Sequence, residues 1–155
     1  MFDVNIPGSV SYEESHEICP GNEIVLADTA LGLFGMSICY DIRFPEQYRL
    51  MASSGADAFL IAADFTKATG ERHWEALLRT RAIENGCYVL AANQCGQKAR
   101  FEAYGHSMII APDGEFLRRQ MIPRRYSSQS WIRKCWSGQE MKSRLWKTGE
   151  MIFTV

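Results

Sequence analysis

The segment GMSICYDIRFPE, residues 35–46, joins an apolar run to a polar turn, and Cys39 lies at the junction. The apolar run Leu33–Ile38 is typical of a buried strand. Pro45–Ser54 is predicted to be a helix, because it begins with proline and is followed by Gly55. The segment therefore indicates a strand, a turn and a helix, with the cysteine at the carboxyl end of the strand.

The clearest helical pattern elsewhere is Glu71–Asn85, where mostly apolar residues recur at helical spacing until Gly86 ends it. Within this helix Arg81 and Glu84 lie three positions apart and are expected to pair. The sequence PDGE at 112–115 predicts a tight turn between two strands. Strands are predicted at Glu23–Ala27, Ala58–Ala63, Tyr88–Ala92, Ser107–Ala111 and Phe116–Met121. This order of strands and helices is typical of an α/β layered domain with at least one parallel strand pair.

The composition indicates one soluble globular domain, since the 155 residues are 46% hydrophobic and 23% charged. The apolar runs are too short to span a bilayer, and MFDVNIPGSV at residues 1–10 lacks the pattern of a secretion signal. The five cysteines are then expected to be reduced thiols of a cytoplasmic protein. A net charge of −1 argues against a nucleic acid or a membrane surface as partner.

Residues 122–155 differ from the rest of the chain, and a domain boundary is predicted at Met121. Seven basic residues against two acidic ones give this tail a charge of +5, and it holds three of the four tryptophans. A shifted reading frame and a genuine basic extension both explain this composition. A membrane-binding or nucleic-acid-binding arm would favour a regular basic helical face, which the tail lacks.

The residues alone leave three interpretations of Cys39 open. It is a small core residue, a metal ligand, or a nucleophile at the strand end where α/β sheets expose reactive groups. The metal interpretation is weak because the pair His16 and Cys19 has no second close pair. A phosphate-binding phosphatase loop is excluded because Pro45 stands where that loop needs an arginine.

The segment around Cys39 closely resembles the nucleophile segment of the nitrilase superfamily, the carbon–nitrogen hydrolases. Five further segments agree in order and spacing: FDVNIPG (2–8), YEES (12–15), PG (20–21), HWEALLRTRAIENGCYVLAANQ (73–94) and YGHSMIIAPDGE (104–115). The resemblance is nearest to amidases that act on ω-amides of dicarboxylic acids and on deaminated glutathione. It implies that residues 1–121 form the C-terminal part of a four-layer α-β-β-α sandwich. It also implies a small-molecule amide substrate, no cofactor or metal, and a homo-oligomer in intact relatives.

Carried over by position, the resemblance makes Cys39 the nucleophile, the backbone N–H of Tyr40 an oxyanion donor, and Glu14 the second family glutamate. Other positions are expected to support the site or line its pocket: Asp41, Arg43, Phe65, Thr66 and His73. The turn after the nucleophile is expected to be fixed by the first two of these. The family's lysine and first glutamate have no counterpart in this sequence. The chain is therefore predicted to be a carbon–nitrogen hydrolase acting through a cysteine thioester, an inactive fragment or pseudoenzyme, or a binding or assembly module.

Overall fold

The computed structural model describes residues 18–120, together with Ser15 and two short strands. These strands are β1 (Asp3–Val4) and β2 (Tyr12–Glu13), and they pair antiparallel. The basic tail at 122–155, for which two explanations were given, lies outside the described residues.

Six strands form one mixed sheet: β3 (Val25–Thr29), β4 (Gly32–Ile38), β5 (Ala58–Ala63), β6 (Tyr88–Asn93), β9 (Met108–Ile110) and β10 (Phe116–Arg119). Their order across the sheet is β10-β9-β6-β5-β4-β3. The central strands β4, β5 and β6 run parallel, while β3, β9 and β10 pair antiparallel with their neighbours. The predicted parallel pairing and the predicted hairpin between β9 and β10 are both confirmed. A separate hairpin of β7 (Cys95–Gln97) and β8 (Glu102–Tyr104) was not indicated by the sequence patterns.

Two helices connect the parallel strands. Helix α1 (Pro45–Ser53) lies between β4 and β5, and helix α2 (Lys67–Asn85) lies between β5 and β6. Helix α2 begins one turn before its predicted start because the Thr66 side chain accepts a hydrogen bond from a first-turn N–H. It ends as predicted at Gly86, which has a left-handed φ of 62°. Neither helix is long and apolar enough to cross a membrane.

The hydrophobic core lies between these helices and one face of the sheet. Strand pairing aligns Phe59 with Val89 and Val89 with Ile110, so these side chains share that face. The helices contribute fully buried side chains to the same cluster: Tyr48, Met51, Trp74, Leu78 and Ala82. The core therefore fixes the helices against the three parallel strands and the antiparallel β9.

The opposite face of the sheet is apolar as well. One row of paired residues crosses five strands on that face: Val25, Met36, Leu60, Leu90 and Ile109. Val25 is 54% exposed and Met36 is 40% exposed. Strands with two apolar faces read as unbroken hydrophobic runs, which explains why the sequence located β4, β5 and β6 so closely.

A substitution at Gly70 tests how closely α2 packs against β8. A Cβ at this position would clash with the Cγ of Tyr104, so we expect Gly70→Ala to destabilise the fold by about 1–3 kcal/mol through overpacking. In an open helix the same change stabilises by about 1 kcal/mol. Urea denaturation measures the free energy of unfolding, with Gly21→Ala as control because nothing lies within 4 Å of a Cβ there. A Gly70→Ala protein as stable as the parent would contradict this packing.

Candidate functional site

Cys39 lies where β4 gives way to a single 3-10 turn, Cys39–Arg43. Its backbone has a φ of 49°, in the left-handed region that residues with a side chain seldom occupy. The side chain is half-buried and packs against the edge of the core. Because strained backbone concentrates at functional sites, this conformation distinguishes Cys39 from an ordinary core cysteine.

The turn is held by hydrogen bonds from both of its ends. A carboxylate oxygen of Asp41 accepts the backbone N–H of Ile38 at 2.8 Å, and its carbonyl accepts the N–H of Phe44 at 3.0 Å. The expected role of Asp41 in fixing the turn is thus confirmed. These bonds close the chain tightly around Cys39 and Tyr40.

The turn is also tied to α2 by a buried arginine. Arg81 donates from Nε at 3.0 Å and from Nη2 at 2.8 Å to the carbonyl of Ile42. Its Nη1 donates to Glu84 at 2.7 Å, so the predicted pairing of these two residues is confirmed. The sequence did not indicate the contact with Ile42, which joins residues 39 positions apart.

Arg43 ends the turn with its guanidinium over two aromatic rings. Its Cζ is 5.1 Å from the ring centroid of Tyr40 and 5.6 Å from that of Phe65. Its Nη2 lies 3.2 Å from Nδ1 of His73 on α2. The structure therefore brings three of the predicted site residues, Tyr40, Phe65 and His73, together around a fourth, the cation of Arg43.

The donor capacity of Arg43 is not used up by these contacts. Its Nε is buried and has no hydrogen-bond partner among the residues that the structure describes. None of the ion pairs between described residues involves Arg43. A buried donor of this kind is costly unless it meets an acceptor, so this guanidinium is suited to an anionic ligand.

The loop after β5 supplies the second wall of the site. The N–H of Phe65 donates to Oδ1 of Asn93 at 2.9 Å. The ring centroid of Phe65 lies 4.8 Å from that of Trp74. Thr66 caps α2, so the structure gives it a structural contact in addition to its predicted place in the pocket loop. The sequence analysis did not identify Asn93, although a polar residue at the end of an apolar strand can indicate a buried hydrogen bond.

His106 is the second described residue with a side chain and a positive φ, at 57°. Its Nδ1 lies 2.7 Å from the carbonyl of Tyr104, and its own carbonyl accepts the indole N–H of Trp74 at 2.9 Å. His106 thereby positions Trp74, which packs on Phe65.

The remaining site predictions are answered only in part. Glu14 and His16 lie outside the described residues. Within residues 18–120 no group of three or more His, Cys, Asp and Glu side chains is placed to hold a metal ion. Burial raises the pKa of the Cys87 thiol to about 11, which keeps that cysteine protonated and unreactive near neutral pH.

Comparison with known proteins supports the family resemblance. A family model described as carbon-nitrogen hydrolase matches residues 1–121. The deaminated glutathione amidase of Dictyostelium discoideum is 47% identical over 119 residues, which are 76% of this chain and 41% of that relative. The omega-amidase NIT3 of Saccharomyces cerevisiae is 40% identical over 118 residues, which are 76% of this chain and 40% of that relative. The chain thus spans about two fifths of the length of these curated relatives.

Solved structures share the fold. The NitFhit protein of Caenorhabditis elegans superposes with a TM-score of 0.72 at 44% identity, covering 78% of this chain and 30% of that one. A mutant of the amidase from Nesterenkonia sp. AN1 superposes with a TM-score of 0.60 at 28% identity, covering 69% of this chain and 41% of that one. It carries the acetamide moiety of fluoroacetamide added covalently at its active-site cysteine. The predicted α/β class is confirmed, and the described residues form one part of the nitrilase-type fold.

The left-handed backbone at Cys39 predicts an inverted order of stability for two substitutions. Glycine is normally less stable than alanine by about 0.5–1 kcal/mol, but a left-handed conformation costs alanine about 1–2 kcal/mol. We therefore expect the Cys39→Gly protein to unfold with a free energy about 0.5–1 kcal/mol above that of Cys39→Ala.

The matched pair for this measurement is Cys95→Gly and Cys95→Ala, in strand β7 at ordinary φ. There alanine should be the more stable residue. If alanine is also the more stable residue at Cys39, the backbone at that position is not strained.

Proposed function

Because the chain belongs to the carbon–nitrogen hydrolase family, we propose that Cys39 is the nucleophile of an amidase that cleaves a linear amide through a thioester. The observation that supports this most is the strained backbone of Cys39 at the carboxyl end of a central parallel strand. Reactive groups of α/β sheets concentrate at that edge. The buried anchor from Arg81 to Ile42 keeps the turn rigid, as a preorganised nucleophile requires.

The proposed reaction has two halves. The Sγ of Cys39 forms a bond to the amide carbon, and the carbonyl oxygen becomes an oxyanion next to the backbone N–H of Tyr40. The intermediate collapses by breaking the carbon–nitrogen bond, and the nitrogen leaves as ammonia with the proton that the thiol gave up. Water then attacks the thioester carbon, releasing a carboxylic acid and restoring the thiol. We propose that Glu14 orients the amide, by its match to the second family glutamate.

We propose a substrate that carries a carboxylate remote from its amide, as an ω-amide of a dicarboxylic acid does. The support is Arg43, which follows Cys39 by four residues and keeps a buried Nε without a described partner. Guanidinium groups bind carboxylates in a fixed planar geometry. Two of the relatives are named deaminated glutathione amidase and omega-amidase, which agrees with an acid-bearing amide.

A second candidate function is that of an inactive relative, which binds an amide in the same pocket but does not hydrolyse it repeatedly. It is favoured by one observation: these 155 residues span about two fifths of the length of the curated relatives that they match. Groups of a catalytic set act as a unit, so the loss of one removes most of the rate enhancement. Such a chain would bind an amide, or react once with an electrophile, without releasing ammonia repeatedly.

Fluoroacetamide and an ω-amide together test the proposal. Fluoroacetamide is a weak electrophile, so we expect it to add only where the site activates the thiol: a carbon–sulfur bond forms at Cys39 as fluoride leaves. Peptide mass spectrometry should locate the adduct at Cys39 and leave Cys87 unmodified. Succinamate should release ammonia, and Cys39→Ser should abolish both results, whereas Cys95→Ser should retain them.

The two readouts separate the candidates. An adduct at Cys39 without ammonia supports the inactive relative. Equal modification of Cys19 and Cys39, with no ammonia released, contradicts both the nucleophile and the pocket.

A further inference from the structure

His73 contacts Arg43 through a neutral acceptor. The two residues lie 30 positions apart, and Nη2 of Arg43 is 3.2 Å from Nδ1 of His73. A guanidinium has only donors, so Nδ1 must be the acceptor of this bond. The bond therefore needs the tautomer of His73 that accepts at Nδ1 and carries its proton on Nε2.

The bond completes a three-sided support for one guanidinium. The rings of Tyr40 and Phe65 lie against Arg43 at 5.1 Å and 5.6 Å. These contacts restrain its plane, and the bond to His73 fixes its rotation within that plane. An arginine side chain has about 2 kcal/mol of rotamer entropy to lose, so this support removes a cost that ligand binding would otherwise carry.

The chemistry of the acceptor matters as much as its position. A carboxylate at position 73 would hold Arg43 equally well, but it would form an ion pair and cancel its charge. A neutral imidazole orients the cation and leaves its charge for a ligand. No ion pair among the described residues neutralises Arg43 in another way.

We propose that His73 is a positioning residue that orients Arg43, without neutralising it, to bind the remote carboxylate of a dicarboxylic monoamide. This inference rests on the proposed function for the location of the substrate. His73 acts through Arg43, so it sets affinity for acid-bearing ligands and leaves the reaction at Cys39 unchanged.

Binding to the Cys39→Ser variant of the 155-residue chain tests the proposal without requiring turnover. Isothermal titration calorimetry with glutarate and with butyramide compares a ligand that carries carboxylates with an uncharged amide. Three variants separate orientation from charge: His73→Asn keeps an acceptor near Nδ1, His73→Leu removes it, and His73→Glu adds a negative charge. Arg72→Ala, an exposed change on the same helix, serves as the control for surface charge.

We expect His73→Leu to weaken glutarate binding by about three- to tenfold, the loss associated with one side chain that must be immobilised on binding. His73→Asn should stay within about twofold of the parent, and His73→Glu should lose more than the leucine variant because it pairs with Arg43. Butyramide should bind all four variants alike. In a preparation that turns over, His73→Leu should raise KM for succinamate and leave kcat unchanged.

Two outcomes would overturn the inference in different ways. If butyramide binds but glutarate affinity does not fall in His73→Leu, or rises in His73→Glu, His73 does not position Arg43 and the site itself survives. If neither ligand binds the parent Cys39→Ser protein, the pocket of the proposed function is wrong, and the role of His73 fails with it.

Discussion

The buried contact from the Arg81 guanidinium to the carbonyl of Ile42 determines how the site is built. It joins the turn after β4 to the C-terminal part of α2, and a buried carbonyl that lost these donors would be costly. The same guanidinium lies 5.4 Å from the ring centroid of Tyr48 on α1. One side chain thus ties together the turn and both helices, and the core forms around that arrangement.

A series of side-chain contacts links α2 to the other residues of the site. Helix α2 carries Trp74, which packs on Phe65, and Phe65 lies against Arg43. The carbonyl of His106 accepts a hydrogen bond from the indole N–H of Trp74. This series of contacts runs from His106 to Arg43, which ends the turn that begins at Cys39, and Cys39 and His106 are the two described non-glycine residues with positive φ.

The sequence predicted what depends on local apolar pattern and missed what depends on distant contacts. Strand β5 matches its predicted range residue for residue because Ala58–Ala63 is apolar on both faces. The strands of the hairpin β7–β8 are only three residues long, CGQ and EAY, and are too short to show such a pattern. The start of α2 was placed late because Gly70 and charged residues obscure its first turn.

The candidate site divides in the same way. The position of Cys39 at a strand end could be inferred, as could the turn-fixing role of Asp41. Its left-handed backbone and the bond between Arg43 and His73 could not, because each depends on packing between segments far apart in the chain. The family resemblance supplied roles for individual residues, whereas the structure supplied the contacts among Arg43, Tyr40, Phe65 and His73.

The pairing of the sheet also determines when this site comes into being during folding. In the hairpins β3–β4 and β9–β10 the paired strands are close to each other in the sequence. Strands β5 and β6 are far apart in the sequence, and Phe59, for example, pairs with Val89. Long loops close slowly, so parallel pairs form after hairpins. The turn at Cys39 needs α2, which lies between the last two parallel strands. An incompletely folded chain therefore carries an ordinary flexible backbone at this position, and the left-handed conformation of Cys39 forms only with the native state.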